Sequence, residues 1–382
     1  MKSILILCFS KLQHDARVSR QIDFLKKTYR ITAVAFDGLP DPGVELIKID
    51  RPKLSLFRKA FLSFFLILRI HPTAYRLLHG HPPLRRKLAD RQFDLIIAND
   101  IEALPLAFDI DPTANVLFDA HEYAPRHFED KLSWRIFFQP FNLYLCKKYI
   151  PKVKAMTTVG TGLANEYHKH FSVDPVIITN ATAYHEIVPS PIKPNTIRMI
   201  HHGGATVSRK LELMIELMRH LEERFTLDLM LIVPELASSK TKNYINRLRT
   251  LADGDPRIRF LPPVKSLEIV AFINRYDLGL FLLPPVNFNY ANTLPNKLFD
   301  FIQARLGIAI GPTPEMAEIV NSYKIGVVSK DFSPESLAFE LNKLSSSDVE
   351  QFKLNTSRPA RERSAETNKI KLLELVNKIV SA

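Results

Sequence analysis

The stretch HHGGATVSRKLELMIELM, residues 201–218, sets a glycine pair at the end of an apolar strand and two cations, Arg209 and Lys210, at the start of an apolar pattern with helical spacing. Glycine lets a backbone approach a ligand closely and take a positive φ. A helix start offers unpaired N–H groups and the positive end of the peptide dipole. Arg209 and Lys210 fall at that end, where a cation is slightly unfavourable unless an anion offsets it. Gly203, Gly204, Arg209 and Lys210 are therefore read as a diphosphate-binding turn. The alternative is a plain glycine turn with two solvated cations, since the pattern is neither G-x-G-x-x-G nor a P-loop.

A second cluster lies in NYANTLPNKLFDFIQARLGIAIGPTPEMAEIV, residues 289–320. Asn296 and Lys297 enter an expected helix, and Asp300 follows Lys297 by about one turn. Lys297 can counter phosphate charge and Asp300 can accept from a ribose diol; otherwise they form a surface pair behind a helix cap. The loop after the next strand adds backbone N–H groups and the Glu315 carboxylate. His201 and His202 read as the end of a buried strand, where either could touch the same ligand. Two Asp-x-Asp strings, Asp109-Ile110-Asp111 and Asp253-Gly254-Asp255, precede prolines in turn-like contexts, and no histidine or cysteine has zinc spacing. No metal or other cofactor is expected.

These residues need elements to hold them. In the first half, SILILCF, RITAVAF, VELIKI, FDLIIAN, ANVLFDA and AMTTVG are short apolar runs separated by amphipathic stretches such as DARVSRQIDFLKKT. Continuous apolar strands alternating with helices indicate a parallel sheet covered on both faces, with ligands beyond the carboxyl ends of the strands. The second half repeats the rhythm in TIRMIHHG, LDLMLIVP, RIRFLPPV, LGLFLLPP, IAIGP and GVVSK, with helices expected over 209–223, 241–252, 266–275 and 295–305. The fold class is α/β, with two doubly wound, Rossmann-like domains facing a central cleft. The expected division is 1–183 for a first domain, 184–196 for a proline-rich linker and 197–362 for a second domain. A C-terminal helix over 363–382 could belong to either domain and can pack back on the N-terminal one.

The chain has 382 residues and a formal net charge of +12. Ten Lys or Arg against a single acid, Asp90, fall between Arg51 and Arg91, around the apolar run FRKAFLSFFLILRI. Cations flanking aromatic and aliphatic residues suit a helix lying in the headgroup region of an anionic membrane; the other reading is a surface excursion with solvated charges. Nucleic acid is excluded as a partner because no binding motif accompanies the patch. The N-terminal run MKSILILCFS reads as a buried strand and not a signal peptide. No segment has the roughly 18 apolar residues of a transmembrane helix. Cys8 and Cys146 both sit in apolar elements and suit a reducing compartment.

In order and spacing, several of these segments resemble the GT-B glycosyltransferases of the family-four type, almost end to end. HDARVSRQIDFLKKTYRITAVAFDG is similar to that family's opening, FDLIIANDIEALP to its third strand and acceptor-side loop, and VLFDAHEYAPRHF to its Asp-x-His-Glu segment. IRMIHHGGATVSRKLELMIELM resembles the start of its donor domain, and LPNKLFDFIQARLGIAIGPTPEMAEIV its nucleotide-sugar helix. The resemblance implies transfer of a sugar from a nucleotide-sugar donor to a glycan or lipid-linked acceptor in polysaccharide, lipopolysaccharide or capsule assembly. It implies a retaining, metal-independent reaction at the cytoplasmic face of a membrane. Arg209 and Lys210 would lie near the donor diphosphate, Asp300 at the ribose, His121 facing the transferred sugar, and Pro262-Pro263-Val264 at the nucleobase edge. Asp15, Arg17 and Asp100 would lie on the acceptor side. In an inverting reaction His121, Glu122 or Asp15 would be the base.

Two departures stand out. Asn292, eight residues before Asp300, occupies the place of the first glutamate of the family's E-x7-E pair, and Arg305-Leu306-Gly307 replaces Gly-x-Pro after the helix. A non-catalytic nucleotide-sugar-binding scaffold and a nucleotide-sugar epimerase are the alternatives.

Overall fold

The computed structural model describes residues 1–38, 41–52, 54–233 and 238–381. Lys53 of the basic segment and Pro234, at the end of LDLMLIVP, lie outside the described residues. The chain forms two compact units, one made of Met1–Thr179, Asn287–Asn289 and the residues from Lys369 onward, the other of Asn180–Val286 and Tyr290–Asn368.

The first unit is built on strands β1 (Ser3–Leu7), β2 (Arg30–Ala35), β3 (Val44–Lys48), β4 (Leu95–Asn99), β5 (Val116–Ala120), β6 (Ala155–Thr158) and β7 (Val176–Ile177), in the order β3-β2-β1-β4-β5-β6-β7. All pairings are parallel. Alternate residues of β1 feed opposite cores: Leu5 and Leu7 join one cluster with Phe118 and Leu104, while Ile4 and Ile6 join another with Val18 and Ile22. That is the period-2 pattern of a strand buried on both faces. The strand order reverses between β1 and β4, so the carboxyl ends of these neighbours frame the usual ligand crevice.

The second unit repeats the plan with β8 (Ile197–Gly204), β9 (Phe225–Ile232), β10 (Ile258–Leu261), β11 (Leu278–Phe281), β12 (Gly307–Ile310) and β13 (Gly326–Val328), in the order β10-β9-β8-β11-β12-β13. Met199, Leu229 and Leu280 face one core and Ile200, Met230 and Phe281 the other. Here the reversal falls between β8 and β11. A side chain at Gly279 on β11 would collide with the Phe301 ring, its Cβ lying 2.3 Å from Cγ. Glycine thus lets the helix Asn296–Gln303 lie close on the sheet.

Two expectations about elements change, and one left open is filled. The helix expected over 209–223 is only Glu212–Leu217, preceded by a 3-10 turn Val207–Arg209 and followed by another at Met218–His220. Lys210 is left-handed, at φ +50, and that break separates the turn from the helix. Residues 184–196 are part of the second unit: Tyr184, Ile187 and Ile192 pack on its cores, and His185 N–H donates to Gln303. Proline excludes helix and ladder there, but not packing. The helix Ala365–Ser381 belongs to the first unit from Lys369 onward, where Leu372, Val376 and Ile379 join the cluster of Ile4 and Val18.

The basic segment forms the helices Leu56–Ile67, His71–His79 and Pro82–Leu88. Leu62 and Leu66 anchor the first of them in the core, leaving Leu56, Phe57, Phe61, Phe64 and Ile67 exposed. Among the described residues no helix is long and apolar enough to cross a membrane.

Candidate functional site

In the second unit the carboxyl end of β8 delivers Gly203 at φ +126, a conformation side chains rarely adopt. A Cβ placed there would lie 3.2 Å from Lys297 Nζ and 3.4 Å from Arg209 Nη1. Two cations thus converge on one bare stretch of backbone. Arg209 is oriented by donating from Nη1 to the Gly204 carbonyl at 3.0 Å. Lys297, only 5% exposed, rests its ammonium 4.2 Å from the centre of the Phe281 ring. Burial first, and then the Arg209 charge, push the Lys297 pKa well below its ordinary value, against the opposing pull of Asp300. An anion seated over Gly203 would relieve both penalties.

Behind this turn lie two buried histidines. His201 Nδ1 is 2.9 Å from the Leu280 carbonyl, which makes it the donor, and Nε2 has no hydrogen-bond partner. His202 stands edge-on to Phe301; its Nε2 is 3.5 Å from Asp300 Oδ2 and likewise makes no hydrogen bond. Burial and the Lys297 charge lower the His202 pKa to about 3, so the ring is neutral. Asp300 accepts from Thr182 Oγ1 at 2.6 Å. Buried polar atoms left unbonded at a strand's carboxyl end are what an absent polar ligand would explain.

In the first unit the equivalent strand ends hold a carboxylate–imidazole cluster. Asp119 on β5 is the hub: Arg17 clasps both its oxygens, Gln21 Nε2 donates at 3.2 Å and Thr157 Oγ1 at 2.7 Å. Burial would raise its carboxyl, but Arg17 and His121 hold it well below the usual carboxylate range. His121 stands between two acids, with Nε2 3.6 Å from Asp119 Oδ2 and Nδ1 3.2 Å from Asp100 Oδ2. Burial alone would lower its pKa; the two carboxylates outweigh it, and the imidazole is held above its ordinary value. Asp100, at φ +63, also accepts from the His121 backbone N–H at 3.1 Å, and burial raises its carboxyl. Beside it opens a cavity of about 420 Å³ whose lining includes Asp15, Asp100, Glu102, Glu122, His127 and Arg51. Its acids and imidazoles can hold hydroxyl groups and exchange a proton, which is the chemistry an acceptor alcohol requires.

Gly203, Gly204, Arg209 and Lys297 come together, with Asp300 one turn further along its helix. Lys210 does not join them: it is exposed in its left-handed turn, and Lys297 supplies the second cation in its place. Asn296 is the exposed first residue of its helix, Val264 packs half-buried on the adjoining core, and Asn292 is half-buried in the segment before that helix. Glu315 is buried in the first turn of the helix Pro314–Tyr323. On the other unit, Asp15 lines the cavity while its side chain caps the helix Ala16–Leu25 through Val18 N–H. Glu122 pairs with His127 Nε2 at 2.7 Å. Arg17 directs its guanidinium to Asp119 and the Ile178 carbonyl.

Arg305 is spent as well. It takes the left-handed position after the helix Asn296–Gln303, at φ +59, and donates to the Gln303 carbonyl at 2.8 Å and the His185 carbonyl at 2.9 Å. The bulky cation in the glycine position is thus a helix cap. Of the Asp-x-Asp strings, Asp111 bonds Thr113 and Asp255 pairs with Arg257. The reading from sequence held Asp119 within the Asp-x-His-Glu segment without a role of its own, and missed Gln21 and Asn99, whose Nδ2 donates to Gln21 Oε1 at 3.1 Å and whose Oδ1 lies 3.3 Å from His121 Nε2. The signal was present, since Asp119 is an acid inside an otherwise apolar strand, two residues before His121 and so on its face of the pleat.

Two doubly wound parallel units with these strand orders are those of the GT-B fold, as the sequence resemblance implies. Solved structures similar to the chain bear this out at low identity. Sucrose-phosphate synthase from Thermosynechococcus elongatus matches with a TM-score of 0.76 at 10% identity, covering 100% of both chains. Anabaena HepE, solved in complex with UDP and glucose, matches at 0.66 and 15% identity over 99% of this chain and 100% of its own. WaaG, a glycosyltransferase involved in lipopolysaccharide biosynthesis, matches at 0.60 and 14% identity, over 97% and 99%. No protein-family model and no curated protein sequence matches the chain.

Proposed function

We propose that this protein is a glycosyltransferase that takes a sugar from a nucleotide-sugar donor to a glycan or lipid-linked acceptor. The observation that carries the proposal is the convergence of Arg209 and Lys297 on Gly203. Glycosyl transfer releases a nucleoside diphosphate whose charge grows as the bond to the sugar breaks, and fixed cations in a low-dielectric site stabilise that charge. Arg209 and Lys297 supply it without a metal ion. Asp300, one turn beyond Lys297, accepts from the ribose, and Asn296 and Val264 flank the nucleotide. UDP and glucose in the HepE complex are a precedent for such a donor on this fold.

In a retaining reaction the leaving phosphate accepts the acceptor proton. His121, whose imidazole Asp100 and Asp119 hold above its ordinary value, then steadies the sugar or acceptor oxygens. The exposed apolar face and cations of the segment 51–91 support work at the cytoplasmic face of an anionic membrane, in polysaccharide or lipopolysaccharide assembly. Calorimetric titration with a panel of nucleoside diphosphates tests the donor site. Binding of at least one is expected, and a folded protein that binds none overturns the proposal. Asn292, where a carboxylate is expected near the sugar, favours a second reading, a donor-binding protein without turnover. Nucleotide release in the presence of donor and acceptor eliminates it.

A further inference from the structure

The basic helices of the first unit carry a second cavity, distinct from the one beside Asp100. It holds about 470 Å³, and its charged and titratable lining is Lys48, Asp50, Arg58, Arg76, His81 and Lys87. Four cations face one carboxylate. Lys48 is engaged by Asp37 at 2.7 Å, whereas Arg58, Arg76 and Lys87 form no salt bridge among the described residues. His81, left-handed at φ +33 and packed on the Phe9 ring, holds its Nε2 buried without a hydrogen-bond partner. Like charges gathered around a concavity, with an unbonded imidazole nitrogen beside them, are relieved by a compact anion rich in acceptor oxygens.

The neighbouring surface identifies the source of that anion. Arg58 lies in the opening turn of the helix Leu56–Ile67, directly after Leu56 and Phe57, which are 85% and 72% exposed. Phe61 and Phe64 continue the exposed apolar surface along the same helix. A soluble phosphate has no use for such a surface, but a phospholipid has both a charged head and an apolar body. We propose that this cavity takes the phosphate of an anionic lipid headgroup while the aromatic residues of the adjoining helix enter the acyl boundary. The protein then docks on the bilayer at one lipid-binding point and not through diffuse charge alone. The site presupposes the membrane association proposed above.

The test is sedimentation of the full chain with vesicles of phosphatidylglycerol in phosphatidylcholine, and with phosphatidylcholine alone. Binding to the anionic vesicles only is expected. Arg76→Ala with Lys87→Ala should weaken it by more than about 100-fold, because each removes a charge-assisted hydrogen bond to the phosphate, worth about 10-fold or more. Lys59→Ala with Arg86→Ala, an equal loss of charge outside the cavity, should cost no more than about 25-fold, about fivefold for each cation lost from the general surface attraction. All four positions are exposed, and thermal melting of both variants checks that they fold. Equal loss in the two variants overturns the site while leaving the membrane association standing. Absence of binding to either vesicle overturns the association itself. A titration with glycerol phosphate separates the sources. Binding as tight as to vesicles, abolished by Arg76→Ala with Lys87→Ala, would make the ligand a soluble phosphate and overturn the lipid assignment.

Discussion

At the residue scale the decisive groups are Lys297 and Arg209, because each is costly where it stands without an anion. Replacing either with alanine should weaken nucleoside-diphosphate binding about 10- to 100-fold, the worth of one charge-assisted hydrogen bond. Affinity for the nucleoside alone should change little, and Lys210→Ala should have a small effect on both. Calorimetric titration of the three variants checks this, and equal losses for nucleoside and diphosphate would contradict it. The depressed Lys297 pKa gives an independent readout. A bound diphosphate favours the charged amine and raises that pKa, so binding takes up protons at alkaline pH, where the free protein has lost some of its ammonium. Titration in buffers of different ionisation enthalpy should show the uptake in the native protein and not in Lys297→Met. The same depression has a stability sign: the unfolded amine holds the proton that the folded one gives up. This group's penalty therefore fades as pH rises from the depressed value to the ordinary one.

At the element scale, Asp119 ties β5 to the helix Ala16–Leu25 through Arg17 and Gln21, and to β6 through Thr157. Asp119→Ala would leave the Arg17 guanidinium buried and uncompensated, at a cost of about 3–5 kcal/mol. Chemical denaturation should show that loss. The His121 pKa should also fall, because Asp119 helps hold it up, and proton NMR of the imidazole checks this. The native His121 pKa is raised, so the pairing contributes in full below the ordinary histidine value and is lost as pH climbs through the raised one. Elements of this kind were legible in the sequence where the pattern is redundant: every strand but β7 reads as a short apolar run, and the central ones, β1, β4, β5 and β12, are buried on both faces. The helix expected over 209–223 was misjudged because a left-handed Lys210 carries no sequence mark of the kind glycine gives. Lys210 beside Arg209 and Arg17 on the acceptor side are of another sort: the structure leaves Lys210 exposed and bonds Arg17 to Asp119. Charge near a motif can be read from sequence, but what a side chain is already bonded to depends on tertiary packing.

At the scale of the whole molecule, the sequence placed two α/β units but not the interleaving of the chain between them. Asn287–Asn289 belongs to the first unit, where Asn289 Oδ1 accepts from Tyr123 N–H at 2.7 Å, although the strands on either side of it belong to the second. The helix Ala365–Ser381 returns Leu372 and Val376 to the same unit. Leu372→Ala should therefore destabilise the first unit by about 2–5 kcal/mol. Scanning calorimetry should show the transition of that unit shifting while the other stays in place.

That returning helix also bears on how the polypeptide acquires its structure as it is made. Tyr29 bonds Asn377, and Lys2 bonds the Val380 carbonyl. A ribosome that has translated the first half has thus not yet supplied everything the amino-terminal sheet packs against, whereas the second sheet has all its pieces by Asn368. The usual vectorial order, with the earlier-synthesised domain finishing first, is reversed at its final step. Nascent chains stalled before Lys369 should leave Ile4, Ile6 and Val18 partly uncovered and invite chaperones there.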